Sequence, residues 1–231
     1  MEPKIKHISH KLIDSLSDGV FSIALTLLGL DVVALVPKIS ESEDFNAELF
    51  HHWPTFLAYA VGFVVLFSWW YQYHVTGQYV VGTTAMTVWN HGLTMAWVAL
   101  MPFGVALLAE NLNTPNMEWG VFYFGVCLFG SPWTLIIQRL VVHIFKGDTS
   151  VTFTDDFVLA SFPAKEQQRF LIIFQLIPAV GGIFLVSLSF INPWLALVGY
   201  MLHIFSLGNP VNSLSKMAPM MLRFVKSENP N

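Results

Sequence analysis

The chain predicts an all-α, polytopic membrane protein with six transmembrane helices. Three observations carry that prediction. Of 231 residues, 55% are hydrophobic and only 11% are charged, about half the charge of a soluble domain. The mean hydropathy is +0.59. The apolar residues gather into six runs, each with roughly the 20 residues that a bilayer requires. These runs cover 11–35, 53–76, 83–109, 118–144, 169–191 and 194–216. Together they make one transmembrane domain, 1–216, followed by a Pro- and Asn-containing tail, 217–231.

Six crossings put both termini on one side. That side carries Lys4, Lys6, Lys11, Arg139, Lys146, Lys165, Arg169, Lys216, Arg223 and Lys226, and the opposite side carries Lys38 alone. By the positive-inside rule both termini are cytoplasmic. The expected location is a cell membrane, crossed several times. The basic start could be mistaken for a signal peptide, but Asp14 and Asp18 interrupt its transition into the apolar run. It reads as a retained helix.

The first helix is the unusual one. Between Asp18 and Asp31 lie twelve uncharged residues, which rise only ~18 Å as a helix. A bilayer core is roughly 30 Å thick, so at least one carboxylate lies at or below the headgroups. A charge in lipid costs about 2.5–3.5 kcal/mol on the milder insertion scales. The polar ends of this helix should therefore face protein or water, which makes it the first candidate for an ion path. Leu16, Val20, Ile23, Leu27, Leu30 and Ala34 recur every three or four residues and form one stripe. Thr26 adjoins it. The stripe can pack against another helix, or several copies can converge on an axis as a dewetting constriction with a hydroxyl ring beside it. Periodicity alone favours packing.

The loop 36–52 is acidic, with Glu41, Glu43, Asp44 and Glu48 against Lys38. It reads first as a solvated connection, then as a cation-attracting vestibule. Helix two ends near Trp69, Trp70 and His74, and helix three begins near Asn90 and His91. Topology places these at the depth of Ser17 and Asp18. A buried carboxylate needs donors, and His and Asn can supply them. A structural hydrogen-bond network is the favoured reading and proton transfer the other. Helices three, four and five contain Pro102, Pro132 and Pro178, which membrane helices tolerate when neighbours satisfy the freed backbone. The connection 145–168 carries Asp155 and Asp156, and Thr152 to Phe162 is a candidate short interfacial helix.

Several functions find no support. The single cysteine, Cys127, lies in an apolar run and reads as a packed hydrophobe. His7, His10, His51 and His52 lack the partners of a tetrahedral metal set. There is no nucleophile elbow, zinc-protease helix, phosphate-binding loop or dinucleotide turn, so no catalytic residue, metal or cofactor is expected. No long basic run invites nucleic acid. From composition, a channel, a proton-coupled transporter using Asp18 and His74, and a structural scaffold stand near parity.

The run from Leu16 to Asp31, Leu-Ser-Asp-Gly-Val-Phe-Ser-Ile-Ala-Leu-Thr-Leu-Leu-Gly-Leu-Asp, closely resembles the first helix of bacterial members of the transmembrane protein 175 family. The resemblance extends to Trp69 through His74, to Asn90, and to the run from Ala99 to Glu110. It implies a homotetrameric potassium channel of six-helix subunits without a re-entrant pore loop, its first helices lining a central pore. On that basis Ile23 is the narrowest aliphatic ring, with Leu27 and Leu30 continuing outward to Asp31 at the outer mouth. Thr26 is the hydroxyl layer linked to potassium preference. Ser17, Asp18, His74 and Asn90 are the polar network bracing the pore helix. The family pattern Arg-x-x-x-Phe-Ser-Asp is altered here: Leu12 stands at the arginine position and Leu16 at the phenylalanine position.

Overall fold

The computed structural model describes residues 10–82, 85–144, 152–153 and 164–206. Eight helices are seen among them: α1 (His10–Val33), α2 (Val36–Ser40), α3 (Phe45–His51), α4 (Trp53–Gly77), α5 (Ala85–Asn111), α6 (Met117–Ile144), α7 (Ala164–Leu188) and α8 (Pro193–Ser206). Four runs are long and apolar enough to cross a membrane: Ile13–Ser40, Trp53–Val75, Val88–Asn111 and Met117–Gln138. Gln175–Leu188 and Pro193–Phe205 are shorter apolar helices. The first turns of α7 carry Lys165, Glu166 and Arg169, and an apolar run follows from Phe170. The expected sixth run extends to 216, beyond the described residues.

The connection 36–52 is more ordered than a solvated loop. Asp44 caps α3 by accepting from the Ala47 amide at 3.0 Å, satisfying one of the unpaired donors of a helix start. Glu48 meets His52 at 3.1 Å one turn later. Leu35 and Ile39 are buried, and α2 packs on α3. Two of the four acids thus hold local structure.

The expected interfacial helix at Thr152 to Phe162 is corrected at its start. Thr152–Phe153 is a strand, β2, paired antiparallel with β1 (Val80–Gly82). β-branched and aromatic residues on both sides suit a pleated pairing better than a helix. Asp155 and Asp156 lie outside the described residues, as do Lys4, Lys6, His7, Lys146 and the tail 217–231.

Packing runs in chain order. α1 lies on α4 and α5, α5 on α6, and α6 on α7 and α8. A bilayer offers apolar side chains no large gain from leaving lipid, so close backbone approach carries the association. A Cβ on Gly104 of α5 would lie 2.9 Å from Cys127 Sγ of α6, and one on Gly182 of α7 would lie 2.5 Å from the Phe129 ring. Cys127 is buried there, as its apolar surroundings in the sequence predict. Tyr200 of α8 is fully buried and donates towards Val121 O at 3.4 Å and Leu185 O at 3.5 Å. Trp133 Nε1 donates to Ala179 O at 2.8 Å, joining α6 to α7.

Candidate functional site

α1 has two unlike faces. Ile13, Ser17, Phe21, Ala24 and Leu28 are buried against α4 and α5. Turned away from them are Leu16, Ile23, Leu27 and Leu30, exposed by 58, 63, 44 and 54%. Thr26 and Asp31 are exposed as well. Among the described residues, then, most of the aliphatic stripe is left open, and Val20 alone of it packs partly against the core. Thr26 Oγ1 donates to Ser22 O of its own helix at 2.8 Å. A hydroxyl has one proton, so Thr26 presents its oxygen lone pairs outward, as a cation requires of a ligand.

The N-terminal half of α1 is held by polar side chains from both neighbouring helices. Asp18 Oδ1 accepts from Trp70 Nε1 at 3.0 Å and meets His74 Nε2 at 3.3 Å. His74 Nδ1 lies 3.1 Å from Trp70 O. One ring nitrogen thus faces a backbone carbonyl of its own helix and the other faces the carboxylate. The Trp70 and His74 rings are 4.5 Å apart, which keeps the three groups in register. Ser17, fully buried, meets His91 Nε2 of α5 at 2.7 Å. Tyr73 donates to Asp14 Oδ1 at 3.3 Å.

The structure brings Asp18 and His74 together and ties Ser17 to α5. Asn90 is placed otherwise: its Oδ1 is buried with no hydrogen-bond partner among the described residues. The contact to Ser17 comes from His91, the next residue, about 100° around the helix. Trp70 and His91 are among the residues that the sequence places at this depth; Tyr73 and Asp14 join them only in the structure. An i, i+3, i+4 reading of the inner ends, with Trp70 and Tyr73 on the face of His74, was the available signal. Leu16 faces outward. No group of three or more His, Cys, Asp or Glu residues able to hold a metal is present among the described residues.

Membrane-length apolar helices, and a first helix buried on one side with a polar clasp in its N-terminal half, define a multi-pass membrane protein. The family model described as endosomal/lysosomal potassium channel TMEM175 matches residues 13–102, the stretch that contains α1, α4 and most of α5. A potassium channel of Chamaesiphon minutus is 32% identical over 188 residues, 80% of this chain and 86% of that one. A potassium channel of Streptomyces collinus is 36% identical over 101 residues, 44% of this chain and 48% of that one. A chicken (Gallus gallus) protein named endosomal/lysosomal proton channel TMEM175 is 30% identical over 153 residues, 60% of this chain and 30% of that one. The crystal structure of a lysosomal potassium-selective channel TMEM175 homologue from Chamaesiphon minutus superposes with a TM-score of 0.64, covering 88% of this chain and 98% of that one at 21% identity. The chain belongs to the TMEM175 family.

Proposed function

We propose that this chain is the subunit of a potassium-permeable cation channel, a homotetramer of six-crossing subunits in a bacterial inner membrane with both termini cytoplasmic. The path runs along the outward face of α1. Asp31 stands at the outer mouth, Leu30 and Leu27 line the way inward, Thr26 supplies the hydroxyl layer, and Ile23 is the narrowest aliphatic ring. Asp18, His74 and Ser17 brace the inner end of the helix, and Asn90, the further member that the family resemblance implies, lies beside them on α5 with its Oδ1 making no hydrogen bond among the described residues. The observation that carries this reading is the exposure of Ile23, Leu27 and Leu30 on a helix whose other face is buried against α4 and α5. Copies meeting on that face enclose an axis. The relatives named as potassium channels support the choice of ion. No catalytic chemistry or cofactor is required; potassium is the permeant species. An aliphatic ring closes such a path by expelling water before its side chains touch.

The test is recording from purified protein in a planar bilayer with potassium on one side and sodium on the other. Single-channel currents with a reversal potential displaced towards potassium are expected. Thr26→Ala should move that potential towards zero while currents persist. No current at any potential would sink the reading.

A second reading, proton conduction or proton-coupled transport through Asp18 and His74, is favoured by one observation, their 3.3 Å contact, and by the name of the chicken relative. It predicts a reversal potential that follows the pH gradient and is lost in Asp18→Asn.

A further inference from the structure

The inner end of α1 has a second set of ties, made by side chains of this chain that the pore reading leaves without a role. Tyr73 of α4 donates to Asp14 Oδ1. His91 of α5 meets Ser17 through Nε2. The Ser17 hydroxyl donates its single proton to Ile13 O at 2.7 Å, so it offers His91 only lone pairs. His91 therefore carries hydrogen on Nε2 and is the donor. The Tyr73 and His91 rings touch in a tilted pair, with centroids 4.8 Å apart and planes at 36°, which brings the two bonds into contact. One tie comes from each of the helices against which α1 packs, and both end within one turn of α1. Asp18, by contrast, is half exposed where it meets His74.

Beside Tyr73 lies a cavity of about 330 Å³, bounded by Phe21, Gln72, Thr94, Met95 and Ser131. Phe21 belongs to the buried face of α1. Tyr73 lines this cavity and thus has space into which to swing when it leaves Asp14. Close-packed interiors shift between discrete arrangements rather than deforming smoothly. A gap beside a hydrogen-bonded ring is where a second arrangement fits.

We propose that Tyr73 and His91 are positioning residues of the channel: they draw the inner end of α1 back from the pore axis and so set the open probability. The proposal rests on the pore reading above. Two pulls act on α1. Its aliphatic face gains by meeting the same face of its neighbours at the axis, which narrows the path. The bonds from Tyr73 and His91 hold it towards α4 and α5, which widens it. Releasing the bonds shifts the population towards the narrow state.

Tyr73→Phe removes the hydroxyl and keeps the ring on His91. Open probability should fall about fivefold or more, with single-channel conductance and reversal potential unchanged. His91→Gln, which retains a nitrogen donor, should keep more open probability than His91→Ala. A merely structural role would lower thermal stability and leave the open probability of the folded channels as it was. Unchanged or increased open probability in Tyr73→Phe overturns the proposal. A thermal-unfolding cycle of Asp14→Ala, Tyr73→Phe and the double variant, in detergent, reads the tie without current. Non-additive effects support it, and additive effects overturn it. A wild-type protein that passes no current fails the pore reading and the claim on open probability with it, while the cycle still decides whether the tie exists.

Discussion

Ile23 sits between residues of opposite fate. Phe21 and Ala24, on the same turn of helix, are 2 and 1% exposed, and Ile23 is 63% exposed. A branched aliphatic side chain left outside a helical bundle faces lipid, another subunit, or a path that must be dry to be closed. The pore reading makes a sharp demand of it. Ile23→Asn places amides at the constriction, which hold water where isoleucine expels it. Basal current at zero applied stimulus should rise about tenfold, measured as open probability times unit current. Unaltered current would remove Ile23 from the gate. At this scale the sequence was most legible where a side chain's role depends on its own helix. The stripe of Leu16, Ile23, Leu27 and Leu30 needed only the helical repeat. Asn90 and His91 were harder. Both are polar, adjacent and at the same depth, and only the rotation of α5 about its axis decides which one reaches Ser17. That rotation is set by Met95, Val98 and Met101, whose burial locks the helix in one orientation.

Elements were legible in proportion to their apolar length. α1, α4, α5 and α6 coincide with the four longest apolar runs because a bilayer leaves a backbone no alternative to satisfying itself within a helix. The connections obey weaker rules. The acidic segment forms α2 and α3 because Pro37 opens one helix and Asp44 caps the other, signals of a single residue each. The pairing of β1 with β2 joins segments some seventy residues apart, and no local pattern announces a partner at that distance. Helix association also has a test at this scale. Gly182 lets α7 approach α6 until a Cβ would meet the Phe129 ring at 2.5 Å. Gly182→Leu must displace that ring or the helix, and overpacking of this kind costs about 1–3 kcal/mol. A melting temperature lowered by several degrees in detergent is expected; an unchanged one would mean that α6 and α7 are not in close contact.

For the whole molecule the question is what covers the outward face of α1. A run of Ile23, Leu27 and Leu30 would sit in lipid without penalty, but Thr26 and Asp31 on the same side would not: an acid within the membrane is costly unless it meets water or protein. Both requirements are met when copies surround a water-accessible axis. The expected mass in a mild detergent or lipid nanodisc, by native mass spectrometry, is that of four chains. A monomer that retains conduction would show that the path lies inside one subunit, and the α1 assignment would fall.

Composition, charge placement and apolar run length determined by themselves that this is a helical membrane protein, and the Leu16–Asp31 run determined its family. These are properties of a chain in a low-dielectric slab, where solvation energies of single segments are large and nearly additive. Which residues touch was decided by the tertiary structure: Asp18 with Trp70 and His74, Ser17 with His91, Tyr73 with Asp14. A hydrogen bond across helices needs two rotations and one separation to agree to within about an ångström, and those follow from the packing of every neighbour together.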